Sequence, residues 1–196
     1  PLLPSFAKFY SSKFCDGIEC FKENAKRIRQ SMNIALKEWA VVVSAMKQGS
    51  HQILLRKGGL ADKGQEFSME HNRFLLFPTY EHQQADMIAD EHQKLFRETL
   101  NQKPSPEQLI IDSWAEFKES FVVKNLQDLL SISDRHIWSQ KYLRMRLDYK
   151  PEKPLYVIRL KVNALNTVCT LVNLKRYGGC RSWVQLDQDV AVNDSR

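Results

Sequence analysis

The most regular stretch of the sequence is residues 141–165, which spell KYLRMRLDYKPEKPLYVIRLKVNAL. Apolar and polar residues alternate on both sides of the segment Pro151–Pro154, and a period of two is typical of strands with one buried face. The pattern predicts an antiparallel hairpin that buries four apolar side chains together. These are Met145, Leu147, Ile158 and Leu160.

The same hairpin would carry four cations on its opposite face. They are Arg144, Arg146, Arg159 and Lys161. Because Leu147 pairs with Ile158 in this register, like charges oppose each other across the strands, which costs some tenths of a kcal/mol per pair. Such charges either spread into solvent or share an anion, and both alternatives stay open.

Positive charge is concentrated in one part of the chain. The 196 residues carry a net charge of +6, but residues 135–181 contain eleven basic and two acidic residues. That excess of nine leaves the remainder of the chain at −3. A local excess of this kind favours an anionic partner, and we expect nucleic acid.

A second basic segment, residues 175–183, places three cations and two aromatic residues around two glycines. Its candidates for phosphate contact and base stacking are Arg176, Tyr177, Arg181 and Trp183. The alternative is an ordinary Gly-Gly turn with Trp183 in the core. Arg56 and Lys57, before another Gly-Gly pair, are secondary candidates, although the segment lacks the spacing of a phosphate-binding P-loop.

The most enzyme-like group is Tyr80-Glu81-His82, in which Glu81 would orient His82 as a general base. Together with Glu70-His71 it suggests a metal-dependent hydrolase or nuclease. We keep that as an alternative and predict no metal and no cofactor.

Five further segments indicate secondary structure. Residues 51–56 and 73–77 are predicted strands, the second closed by Pro78. Residues 86–100 and 105–121 are predicted helices, the latter with Ser105 as its N-cap, and residues 36–43 fit either a helix or a strand. The sequence therefore predicts an α+β fold, an antiparallel sheet or partial barrel with the basic hairpin, packed against two to four helices.

Three regions are expected along the chain: a loosely attached N-terminal arm (1–31), a single α+β domain (32–186) and a polar C-terminal tail (187–196). No apolar run approaches the ~20 residues that span a bilayer, so we expect no membrane partner. The four cysteines form no close pairs, which favours free thiols and a cytoplasmic location.

Four phrases of the sequence, at 35–40, 54–59, 77–83 and 177–183, resemble in this order an uncharacterised bacterial family called domain of unknown function 1802. The resemblance extends from about Met32 to Leu186. It implies no activity and no catalytic residues. Some members are joined to restriction-endonuclease-like domains, which implies a connection with DNA restriction or defence.

Three hypotheses about function follow. The first is a nucleic-acid-binding accessory domain, not an enzyme, that uses the basic hairpin and the Gly-Gly turn. The second is a hydrolase that uses Glu81 and His82. The third is a protein-interaction module whose basic face binds an acidic partner.

Overall fold

Two long antiparallel strands, β4 (Gln108–Val123) and β5 (Leu155–Val172), lie side by side at the centre of the sheet. The structure is a computed structural model and describes residues 30–57 and 69–192. On the outer side of β5, β2 (Ile53–Lys57) pairs with its first five residues. On the other side, β3 (Arg73–Thr79) pairs antiparallel with β4.

Two more strands complete the sheet. β1 (Gln30–Trp39) is parallel to β3, and β6 (Trp183–Val192) is antiparallel to β1, which gives the order β2-β5-β4-β3-β1-β6. The predicted α+β class is confirmed. The sheet is mixed, because β1 and β3 are parallel, and it is not closed into a barrel.

Four α-helices pack on the sheet within the described part of the chain: α1 (Ala40–Lys47), α2 (Gln93–Asn101), α3 (Leu126–Leu130) and α4 (Gln140–Asp148). Their apolar residues form one core with Phe74 and Leu76 of β3. A second cluster on the other face joins β3, the far ends of β4 and β5, and β6. Within the described ranges, every helix is too short or too polar to cross a bilayer.

The predicted basic hairpin is wrong in its first arm, because residues 140–148 form α4. The Ser139 side chain accepts a hydrogen bond from the Tyr142 backbone N–H and caps this helix. Leu143 and Leu147, four residues apart, both contact the core, whereas Met145 is 43% exposed. The second arm was predicted correctly as a strand with Ile158 and Leu160 buried.

The predicted helix at 105–121 is also wrong, because most of it forms β4. Ser105 is not a helix cap; its carbonyl accepts from the Gln108 N–H in a turn that leads into the strand. Leu109, Ile111 and Ser113 are buried at alternate positions, as expected for a strand. Of the apolar residues whose spacing suggested the helix, Trp114 is buried in β4, whereas Phe121 is 43% exposed.

The remaining predictions fare better. The strands at 51–56 and 73–77 are confirmed as β2 and β3, and β3 extends past Pro78. Residues 36–43 contain the end of β1 and the beginning of α1. The predicted helix at 86–100 is regular only from Gln93, after two short 3-10 turns.

The boundary predicted between residues 31 and 32 lies inside β1, and the one predicted between residues 186 and 187 lies inside β6. Residues 187–192, predicted as a tail, belong to β6, and Val192 pairs with Gln30 of β1. Most of the predicted arm and the last four residues lie outside the described residues.

A fully buried histidine, His51, connects β2 to the segment before α4. Its Nε2–H donates to the Ile53 carbonyl oxygen (2.6 Å), and its Nδ1 accepts from the Ile137 N–H (3.2 Å). Burial, which opposes the charged ring, lowers the pKa of His51 from 6.5 to about 3. The ring is therefore neutral in the folded protein.

This burial predicts a loss of stability in acid. Below pH 6.5 the unfolded chain binds a proton that the folded ring does not. The stability that the neutral ring contributes to the folded state is therefore fully present above pH 6.5 and is lost as the pH falls toward 3. Between pH 6 and 4 the free energy of unfolding of the wild type should fall by up to about 1.4 kcal/mol per pH unit more than that of His51→Gln. Urea titrations at several pH values test this, and equal pH slopes in both proteins would contradict it.

Candidate functional site

A basic groove of about 670 Å³ lies at the end of the sheet where β4 ends and β5 begins. The C-terminal turn of α4, the loop after it and the end of β2 complete its walls. Four cations and two carboxylates line it: Lys57, Lys124, Arg144, Lys153, Asp148 and Glu152. The lining carries a net charge of +2, which comes from Lys57 and Lys124, because the two cations that the basic segment 135–181 contributes are matched by its two carboxylates.

Two of the predicted cations, Arg144 and Arg146, project from α4 near this groove. Arg144 is exposed and lines it. Arg146 is half-buried; its guanidinium donates to the Leu55 carbonyl oxygen (3.1 Å) and lies 5.9 Å from the centre of the Tyr149 ring. Lys150 lies 5.2 Å from the same ring, which is 50% exposed. An exposed aromatic ring therefore lies between two cations at the end of α4, and none of these three residues belongs to the groove lining.

Lys57, a secondary candidate, positions the groove wall. Its Nζ donates to the carbonyl oxygens of Leu147 (2.9 Å) and Lys153 (3.1 Å). The first contact stabilises the C-terminal turn of α4, and the second holds the loop before β5. An ammonium group has three hydrogens, so one stays available toward the groove.

Arg159 and Lys161 do not join this group, because the predicted register was wrong. Arg159 forms an ion pair with Glu119 of β4 (2.6 Å). Lys161 lies opposite Glu116 in the sheet register. Opposite charges thus face each other across β4 and β5 where the prediction had like charges, and this pairing stabilises the sheet.

The segment 175–183 is tied into the fold. Arg176 forms an ion pair with Asp187, and the Tyr177 hydroxyl accepts from the Asp187 N–H (3.0 Å). Tyr177 is buried, and Arg181 is exposed. The turn requires a glycine at Gly179, whose φ is +84°.

Trp183 is half-buried at the start of β6 and packs on the core. Its ring lies 5.0 Å from the ring centres of both Phe74 and His71, edge to face in each case. The arrangement fits the core alternative that the sequence left open for this residue.

Arg56, the other secondary candidate, forms an ion pair with Glu38 inside the fold (2.7 Å). Burial acts to lower the pKa of Arg56, but the Glu38 carboxylate more than offsets this, so the pKa is raised. Burial and the same carboxylate raise the pKa of Tyr142 to about 12. This group is a structural ion pair, not part of the groove.

Glu81 and His82 lie in an exposed turn after β3, and His82 adopts a left-handed φ of 62°. Glu70 and His71 pair with each other (3.7 Å). In the part of the chain that the structure describes, no three His, Cys, Asp or Glu side chains are grouped as metal ligands. The hydrolase hypothesis stays a prediction, without a ligand set in these ranges.

Two residues of the groove were missed as candidates: Lys124 and Lys153. Lys153 was counted in the charge excess of 135–181, but the predicted hairpin placed it in the turn between its two arms. Lys124 lies outside that segment, and only the end of β4 brings it to the groove.

A family model described as a domain of unknown function, DUF1802, matches residues 35–196. No curated protein and no solved structure matches the chain.

The buried ion pair predicts a large cost for removing one partner. Arg56→Met should lower the free energy of unfolding by about 3–5 kcal/mol, because it leaves the Glu38 carboxylate buried without a cation. In a Glu38→Gln background, where that charge is gone, Arg56→Met should lower the free energy of unfolding by at least about 1 kcal/mol less than it does in the wild type. This difference is the coupling energy, and its size is usual for residues in contact. Urea unfolding of all four proteins completes the cycle, and strict additivity would contradict a coupled pair.

Trp183→Ala should lower the free energy of unfolding by about 3 kcal/mol, because the substitution leaves a cavity beside Phe74. Trp183→Phe, which keeps an aromatic ring there, should cost clearly less. Urea unfolding measures both. A Trp183→Ala protein of normal stability that binds single-stranded oligonucleotides poorly would instead assign the ring to base stacking.

Proposed function

The chain belongs to the DUF1802 family, and we propose that it binds nucleic acid in the basic groove, as an accessory domain without an activity of its own. The observation that carries this proposal is that three cations of the groove are not paired with a carboxylate. Among residues 30–57 and 69–192, Arg144, Lys124 and Lys153 form no ion pair with a carboxylate. By contrast, Arg159 and Arg176 each form one.

Free cations in a concave surface suit a polyanion. Each phosphate that they neutralise releases condensed counterions, and this release drives binding to nucleic acid. The two carboxylates of the groove, Asp148 and Glu152, reduce its positive charge but do not cancel it. Outside the groove lining, Arg146 and Lys150 add two cations beside the Tyr149 ring at the end of α4.

The groove also offers apolar surface next to these cations. Val122, Leu126, Pro151 and Pro154 line it, and the Tyr149 ring stands exposed nearby. Proteins that bind single strands combine cations along the backbone with aromatic or apolar surfaces for unstacked bases. We therefore propose a single-stranded segment as the preferred ligand. The same proposal places the protein in the cytoplasm and connects it with DNA restriction or defence. The connection with restriction is what the family resemblance implies.

Binding of labelled oligonucleotides across a range of salt concentrations tests the proposal. With about four phosphate contacts, log K should fall with log salt at a slope near −3 for a single strand. Arg144→Ala/Lys153→Ala removes two contacts and should reduce that slope by about 1.4. Fluorescence anisotropy with single- and double-stranded DNA and RNA measures both quantities.

The matched control is Lys94→Ala/Arg97→Ala, which removes two exposed cations from α2 outside the groove. This variant should keep the wild-type slope. If both double variants reduced the salt slope equally, net charge alone would attract the oligonucleotide. Absence of binding at low ionic strength would overturn the proposal, and binding of a polyglutamate peptide alone would favour the acidic-partner hypothesis.

A further inference from the structure

A second concave site, which we call the Lys37 pocket, lies at the opposite end of the sheet from the groove. It encloses about 170 Å³ where the parallel strands β1 and β3 end and β4 begins. Lys37, residues 77–81, residues 103–106, residues 108–110, Asn173 and residues 177–178 line it.

The pocket gathers three of the four phrases that carry the family resemblance. Lys37 belongs to the first phrase, residues 77–81 to the third, and Tyr177 with Gly178 to the fourth. Backbone contacts connect them: Lys37 lies opposite Phe77 in the parallel register, and its N–H donates to the Ser182 carbonyl oxygen (2.8 Å). Segments far apart in sequence therefore build one site.

Lys37 places a cation at the wall of this pocket. Its Nζ donates to the Gly179 carbonyl oxygen (3.2 Å) and lies 5.6 Å from the centre of the Phe77 ring. Two of its three hydrogens stay available to a ligand. Burial and the neighbouring Arg181 lower the pKa of Lys37, because both oppose its positive charge.

The other charges of the pocket favour an anion as well. Lys103 also lines the pocket, with its Nζ 5.9 Å from the centre of the Tyr80 ring. Glu81 is the carboxylate of the lining and lies exposed at its rim. Two cations, Lys37 and Lys103, thus oppose one carboxylate in the lining.

The size of the pocket limits the ligand. A cavity of about 150 Å³ holds one benzene ring, whereas pockets for drug-sized ligands span about 300–1,000 Å³. At about 170 Å³, the Lys37 pocket matches one ring or a similar short apolar group, and a complete nucleotide is too large. Buried Phe77, Leu109 and Tyr177 supply its apolar floor.

We propose that the Lys37 pocket binds a small organic acid, with the carboxylate between Lys37 and Lys103 and a body of one ring's size on the apolar floor. This site is separate from the basic groove, and the proposal does not depend on nucleic-acid binding.

Benzoate is a suitable probe, because benzamide has nearly the same shape without the charge. In ¹⁵N-resolved NMR titrations, benzoate should shift the backbone amides of Lys37, Phe77, Gly178 and Gly179 in a saturable way. Benzamide should bind at least about tenfold more weakly, because it lacks the charge-assisted hydrogen bonds. Lys37→Met should weaken the binding of benzoate by a similar factor and leave the affinity for benzamide unchanged.

Lys103→Gln, at an exposed position, serves if Lys37→Met does not fold, and it should also weaken benzoate binding. Arg144→Ala/Lys153→Ala in the basic groove should leave the benzoate titration unchanged, which separates this proposal from the previous one. Equal affinity for benzoate and benzamide, or unchanged benzoate binding in both lysine variants, would overturn it. So would inorganic phosphate that saturates the same amides as tightly as benzoate, since the apolar floor would then contribute nothing.

Discussion

The pairing of β4 with β5 organises the other strands of the sheet. It runs from Gln108 opposite Val172 to Val123 opposite Leu155. β2 adds to its outer side and β3 to its inner side, so the position of every other strand follows from it. The two candidate sites lie at its two ends, the Lys37 pocket near Gln108 and the basic groove near Val123.

Cross-strand electrostatics explain why unneutralised charge remains at the ends of the sheet. Along the middle of the β4–β5 pair, Glu116 lies opposite Lys161, and Glu119 forms an ion pair with Arg159. Glu119 and Arg159 satisfy each other at short range, and the Glu116 carboxylate also pairs with Lys118 on its own strand (3.0 Å). The loops and helix ends beyond the pair have no such facing strand, and the cations there line concave surfaces instead.

Burial also distinguishes the polar groups that stabilise the fold from the charges that remain accessible. Arg56 with Glu38 and the neutral ring of His51 have their partners inside the fold, which stabilises one arrangement of β1, β2 and the segment before α4. Such groups must be paired, because an unpaired buried charge costs several kcal/mol. Arg144 and Lys153 carry no such constraint and remain exposed to a ligand.

The amino-acid sequence was enough to predict the α+β class, the strands at 51–56 and 73–77 and the basic excess near the C-terminal end. These depend on local signals: short apolar runs that end at glycine or proline, and a count of charges. It also placed Arg144 and Lys57 among the candidates, and both line the groove. For the segments 141–149 and 105–121, however, the sequence fits both a helical stripe and a strand alternation.

Long-range contacts distinguish the two patterns in these segments. Residues 108–123 are a strand because β5 supplies hydrogen-bond partners along their whole length, and residues 140–148 are a helix because Leu143 and Leu147 both reach the core. The same holds for charge, since the partner of Arg159 lies 40 residues away and the backbone contact of Lys57 lies 90 residues away. Local periodicity carries no information about partners at such distances, and these partners determine which cations are neutralised and which remain free.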